Sequence, residues 1–268
     1  MKRIVYSLLL VVSLCAKAQS DSAFHLIRTI DGDIVDFAVD NLDNVYLFNS
    51  KNQLKKINAQ GDSVAVYNDV KKYGRATYID VSNPLRILLY YKNFSTIVTL
   101  DRLLNIRSVI DLRKTNILQV NTIGLSYDNN IWLYDLVDSK LKKIDEYGKV
   151  LLETPDFRQL FGDAPSPECI YDRDGFVYMY DSLKGVYVFD YYGALKNKIL
   201  IPGWKDFRVA GKYIYGITND TLQRYQLSTL RTDELRLLPP IWPALSLGFT
   251  PTRLYALKKD TVEIYSLR

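Results

Sequence analysis

One spacing constrains this chain more than any other property. Apolar residues Val45, Ile87, Ile131, Val177, Ile214 and Leu254 head six similar segments, 42, 44, 46, 37 and 40 residues apart. Each is the aligned apolar residue of a short run: Val45-Phe48, Ile87-Tyr91, Ile131-Tyr134, Val177-Tyr180, Tyr213-Gly216 and Leu254-Leu257. A further run follows each time, at Leu54-Ile57, Ile97-Leu100, Leu141-Ile144, Val186-Phe189, Leu222-Tyr225 and Val262-Tyr265. Runs of four or five residues between turn clusters are strands. A period of about 40–45 residues with several strands per unit is the signature of propeller blades. The sequence therefore predicts an all-β, six-bladed β-propeller. Twenty-one tyrosines fit strands better than helices; only Phe157 to Phe161 suggests a turn or two of helix.

The ends of the chain sharpen this. The sixth unit stops at Arg268 after its third strand, and Phe24 to Ile30 reads as an orphan strand ahead of the first unit. An unpaired sheet edge is a liability, so residues 24–30 are expected to complete the last blade and close the ring.

The first residues read as a signal peptide, residues 1–18: a basic start at Lys2 and Arg3, an apolar stretch Ile4 to Leu14, and Ala16-Lys17-Ala18 before the cut. Eleven apolar residues are too few to span a bilayer. Leu14 stands where lipoprotein processing takes a small residue, which argues against a lipid anchor on Cys15. The expected product is one domain, residues 19–268, exported to the periplasm or associated with the outer membrane or exterior. It has no membrane helix, and its 32 basic and 30 acidic residues give a charge of +2. That balance calls for no nucleic acid. Cys169 is then the only cysteine, so no internal disulfide forms, and its simplest role is that of a small buried hydrophobe.

The turns resemble a known repeat. Asp40-x-x-x-Asn44-Val45-Tyr46-Leu47, Asp128-x-Asn130-Ile131-Trp132-Leu133 and Asp172-x-x-Gly175-Phe176-Val177-Tyr178 are similar to the core of NHL-type repeats, which belong to six-bladed, TolB-like propellers. Three units carry the motif clearly. The resemblance implies the same architecture, and it also points to lactonase- and gluconolactonase-like relatives with a central metal. For that role the sequence offers Asp36, Asp80 and Glu168, with no spacing that marks them as a set.

Catalytic signals are sparse. The sole histidine, His25, lies on the expected closing strand, which speaks against a Ser-His-Asp triad or a multi-histidine zinc site. No nucleophile elbow or phosphate-cradling glycine loop occurs. Asp172-Arg173-Asp174-Gly175 could offer calcium oxygens, but hairpin-turn chemistry accounts for it. No catalytic residue, cofactor or metal site is predicted.

A binding face is the better-motivated expectation. Loops between blades share a face with the loops between second and third strands. They carry Lys71, Lys72, Tyr73 and Arg75, then Phe157, Arg158 and Phe161, then Trp204, Lys205 and Trp242. Clustered Tyr, Trp and Arg dominate protein interfaces and also stack on sugars. Trp204 and Trp242 could instead plug gaps between blades, and Trp132, inside a strand, reads as core. Thr154 to Glu168, with three prolines, is long enough to be a binding loop. The lysine pairs 55–56 and 142–143 read as solvated strand charge. The leading reading is a non-catalytic protein-interaction or scaffold module of a Gram-negative cell envelope, with another envelope protein, such as an outer-membrane complex, as partner. The alternatives are a metal-dependent lactonase- or hydrolase-like enzyme at the channel mouth and a glycan-binding propeller.

Overall fold

Residues 24–267 are described by a computed structural model. The expected signal peptide, with Cys15, lies outside the described residues. The first element, β1 (Phe24–Asp31), stands apart from the unit that follows it. Blade 1 is β2 (Asp36–Val39), β3 (Val45–Phe48), β4 (Leu54–Ile57) and β5 (Ser63–Tyr67). A one-turn helix, α1 (Val70–Tyr73), leads to blade 2: β6 (Tyr78–Asn83), β7 (Arg86–Tyr91), β8 (Thr96–Asp101) and β9 (Ile106–Asp111). Blade 3 is β10 (Val120–Leu125), β11 (Ile131–Asp135), β12 (Lys140–Ile144) and β13 (Val150–Glu153). After α2 (Phe157–Phe161), blade 4 is β14 (Cys169–Arg173), β15 (Phe176–Asp181), β16 (Gly185–Asp190) and β17 (Leu195–Ile199). Blade 5 is β18 (Lys205–Ala210), β19 (Tyr213–Thr218), β20 (Thr221–Gln226) and β21 (Arg231–Arg236). The chain ends with β22 (Ser246–Phe249), β23 (Arg253–Lys258) and β24 (Thr261–Leu267).

Each sheet is antiparallel and runs outward in chain order, except the last, whose order is β22-β23-β24-β1. There β1 pairs with β24, from Phe24 opposite Leu267 to Asp31 opposite Thr261. The ring closes as the sequence expects, and the protein is a six-bladed propeller. The first strands of the blades neighbour one another around the axis, and the apolar residues of the second and third strands fill the space between sheets. Val45, Ile87, Ile131, Val177, Ile214 and Leu254, the residues that set the period, are all buried.

Fourth strands were not individually legible in the sequence. Every position of β21, Arg-Thr-Asp-Glu-Leu-Arg, is exposed, because an outermost strand has no blade to pack against and needs no apolar alternation. What marks these strands is the turn before them. Asn58, Asp101, Asp145 and Asp190 each accept hydrogen bonds on Oδ1 from the backbone N–H groups two and four residues on, at 2.8–3.0 Å. The residue three positions on has a positive φ: Gly61, Leu104, Gly148 and Gly193. This is a three-residue hairpin ending in a bulge, repeated in blades 1 to 4, and the pairing register shifts at the bulge in all four.

Blade-to-blade packing uses close approaches that glycine permits. A Cβ on Gly216 would lie 2.5–2.8 Å from Trp204 side-chain atoms, so the indole fills the space left by the missing side chain. Trp204 is thus a buried plug. Trp132 is fully buried core, as its strand position predicts.

Candidate functional site

The functional question centres on the axis, where the six first strands end in turns. Val39 to Asn41, Asp80 to Ser82, Arg173, Arg208 and Phe249 to Pro251 border a cavity of about 300 Å³ at this mouth. A second cavity of about 340 Å³, between blades 3 and 4, shares Asn41, Ser82 and Arg173 with it and adds Tyr127, Asp172 and Tyr191. Tyr127 and Tyr191 stack there with ring centroids 4.2 Å apart.

The carboxylates of this mouth are occupied in joining blades. Asp80 accepts the Ser82 N–H on Oδ1 and, across the seam to blade 3, the Leu125 N–H on Oδ2, both at 2.7 Å. Asp172 receives three blade 3 donors on Oδ2: Ser126 Oγ at 2.8 Å, the Tyr127 N–H at 3.2 Å and Trp132 Nε1 at 3.0 Å. Asp43 joins blade 1 to blade 6 through the hydroxyls of Thr250 at 3.0 Å and Tyr255 at 2.8 Å. Toward the other end of the first strands, Asp206 joins blade 5 to blade 6 through Ser246 Oγ at 2.9 Å and the Leu247 N–H at 3.0 Å. A bulge between β18 and β19 puts Asp206 at φ 50° and turns its carboxylate toward the next blade. Burial raises its carboxyl, with the Ser246 and Leu247 bonds and Arg208 pulling the other way. Asp40 is saturated by the Leu42 and Asn44 N–H groups, Asn44 Nδ2 and the Tyr46 hydroxyl.

Arg208 is arranged differently. Its Nη1 donates to the Tyr171 hydroxyl at 2.8 Å, and that hydroxyl donates to the Phe207 carbonyl at 3.1 Å. The guanidinium makes no ion pair and no further hydrogen bond among the described residues. The sequence signal for it is the alternation Asp206-Phe207-Arg208-Val209 on a first strand, where every second residue faces the channel; it lies within a strand and outside the inter-blade loops.

At the opposite mouth, Asp36 and Arg75 border a cavity of about 360 Å³ with Thr77, Lys92 and Asn93. Asp36 accepts the Phe37 N–H at 2.8 Å. Burial raises its carboxyl against the pull of Arg75 and Arg208. The acids offered for a metal do not converge. Asp80 is committed to amides, and Glu168 is exposed and bonded to Ser182. Among the described residues no three His, Cys, Asp or Glu side chains form a metal-ligand group.

The expected binding-face residues divide by burial. Lys71, Lys72, Arg75, Arg158 and Lys205 are exposed, and Phe161 and Trp242 are half-buried. Tyr73, Phe157 and Trp204 are buried, so their rings support the loops from beneath. Phe157 stacks on Phe189 at 5.5 Å and anchors the proline-rich loop 154–168 in the core. Arg158 is held bidentate by Asp156. Three lysines depart from the solvated-charge expectation: Lys56, Lys142 and Lys143 are buried. Lys142 pairs with Asp135 at 2.8 Å and with Asp138. Lys143 pairs with Asp128 and lies 5.2 Å over the rings of both Tyr127 and Trp132. Each can be buried because a carboxylate stands within ion-pair reach of its ammonium. Lys56 instead donates to the Arg102 carbonyl at 3.1 Å, and burial lowers its ammonium. The Asp174-Gly175 hairpin has positive φ at both residues, as turn chemistry requires. Cys169 is buried, and burial pushes its thiol up. His25 is exposed on β1.

No protein-family model and no curated protein sequence matches the chain. Solved structures do resemble it. Virginiamycin B lyase from Staphylococcus aureus superposes with a TM-score of 0.64 at 12% identity, over 91% of this chain and 100% of its own. A catalytically inactive histidine-to-alanine variant of that lyase with quinupristin gives 0.59 at 15%, over 88% and 80%. The WD40 domain of Neurospora crassa Pan2 gives 0.62 at 8%, over 91% and 95%. At these identities the likeness is one of fold.

Proposed function

We propose that the protein is an exported, non-catalytic propeller of the TolB-like, NHL-repeat-like kind. It serves as a protein-interaction module in the cell envelope of a Gram-negative bacterium. The observation that carries this reading is the commitment of the axial acids: Asp43, Asp80, Asp172 and Asp206 each spend at least one carboxylate oxygen on joining two blades. The export signal and the exposed basic loop face support it. That face includes Lys71, Lys72 and Arg75, and its other loops carry the exposed Leu118, Leu183 and Leu200. Apolar anchors among cations suit a protein partner with an acidic rim.

A lyase reading has one point in its favour, the resemblance to virginiamycin B lyase. The inactive variant of that lyase has a histidine replaced by alanine. The single histidine here is on the outer strand of blade 6, away from the axis.

The test is affinity capture from envelope extracts with the wild-type chain and with Lys71→Glu/Lys72→Glu/Arg75→Glu, three exposed substitutions. One partner retained by wild type and lost from the variant supports the assignment. Equal recovery removes this face from the interaction, and turnover of a streptogramin or lactone by the purified chain would replace the reading with an enzyme.

A further inference from the structure

We propose that the axial cavity at the turn-side mouth is a carboxylate-binding site, with Arg208 as the group that receives the anion. This goes beyond the interaction reading, which concerns the opposite mouth. Arg208 is half-buried in the channel wall, and a guanidinium withdrawn from water is costly unless paired or hydrogen-bonded, yet among the described residues its one hydrogen-bond partner is the neutral hydroxyl of Tyr171, whose ring it also overlies at 5.8 Å. The Tyr171 hydroxyl donates to the Phe207 carbonyl and therefore turns a lone pair to Nη1. The side chain is thus held in place on one side, leaving the other donors of its fork for a ligand. A fixed fork of N–H donors matches the two oxygens of a carboxylate.

The surroundings favour an organic acid over a bare anion. Asp40 and Asp80 also border the cavity, but their oxygens already accept N–H and O–H donors. Asp36 and Asp206 act on Arg208 electrostatically without pairing with it. These four acids would repel a multiply charged phosphate more than a single carboxylate. Val39, Val81 and Phe249 give the cavity an apolar side, and about 300 Å³ is at the lower end for small-molecule sites. The ligand class is therefore a small carboxylic acid with an apolar body. The C-terminal carboxylate of a peptide is a second source of the same chemistry.

The experiment measures binding of benzoate, benzamide, inorganic phosphate, and the peptide Ala-Leu-Phe with free or amidated C-terminus, by calorimetry and thermal shift on the full chain. Benzoate is expected to bind at least about tenfold more tightly than benzamide and phosphate. Arg208→Gln should erase that preference, and Arg208→Lys should keep part of it. Preference for the free-acid peptide over its amide assigns the site to chain ends, while benzoate binding without peptide binding assigns it to small acids. Equal binding of benzoate and benzamide by the wild type, or no binding of either, overturns the proposal without recourse to any variant. A benzoate preference that survives in a folded Arg208→Gln chain overturns it too.

Discussion

The Tyr180 hydroxyl holds Trp204 by both backbone groups: it accepts the Trp204 N–H at 2.7 Å and donates to the Trp204 carbonyl at 2.9 Å. Tyr180 belongs to blade 4 and Trp204 leads into blade 5, so one phenol spans the seam. Beneath it the Tyr180 and Phe207 rings stack at 4.1 Å. Tyr180→Phe keeps the stacking and strands a buried donor and a buried acceptor. The expected loss is about 1–3 kcal/mol, read as a lower urea midpoint at unchanged slope.

Stability should fall in alkali. Burial pushes the phenols of Tyr90, Tyr134, Tyr180 and Tyr191 up to about 12 from their ordinary 10.0. Below pH 10 these groups are protonated in both folded and unfolded chains, and their contribution is fully present. Between 10 and about 12 the unfolded chain releases protons that the folded chain keeps, which favours unfolding. Urea midpoints measured from pH 8 to 12 should hold steady and then drop above 10, and Tyr180→Phe should show a shallower drop. A midpoint that rises through this window would contradict the assignment.

Asp172 is the most heavily used seam acid. Asp172→Ala leaves Trp132 Nε1, Ser126 Oγ and the Tyr127 N–H without their acceptor. Stranding buried donors in this way costs about 1–3 kcal/mol or more, with a shift in tryptophan emission from the newly unbonded indole. Asp172→Asn keeps an acceptor oxygen and should lose less.

Ring closure by β1 can be tested by deletion. Without residues 24–31, the β24 edge has no partner, and an open edge invites pairing between molecules. The expected outcome is a loss on the order of 2–4 kcal/mol, since ladder bonds are partly offset by the entropy of ordering the strand. Dimers or larger species should appear on size-exclusion chromatography. Added peptide spanning 24–31 should restore both the monomer and the melting temperature; failure to restore either would mean that β1 does not close the ring independently.

Much of the architecture was legible because burial repeats. Ile87 and Ile131 must be apolar wherever a sheet packs between two neighbours, so the period of the ring is written into the second and third strands. The fourth strands escaped because β21 faces solvent throughout and carries no such demand. Individual loop residues were harder to place. Phe157 and Trp204 share loops with Arg158 and Lys205, yet the rings turn into the core while the charges remain outside. Residue type alone cannot distinguish an anchor from a contact.

The sequence by itself determined the six-fold repeat, the closing role of residues 24–30 and the hairpin role of Asp174-Gly175, since these follow from the recurring period, the cost of an unpaired strand edge and short-range turn chemistry. Only the tertiary structure decided what the charged side chains do. Asp80 and Leu125 are 45 residues apart in the chain, and Arg208 and Tyr171 are 37 apart. These residues meet because the ring brings blade beside blade. Their contacts make Asp80 part of a seam and leave Arg208 facing the axis, and both outcomes depend on a geometry that exists only once the ring has closed.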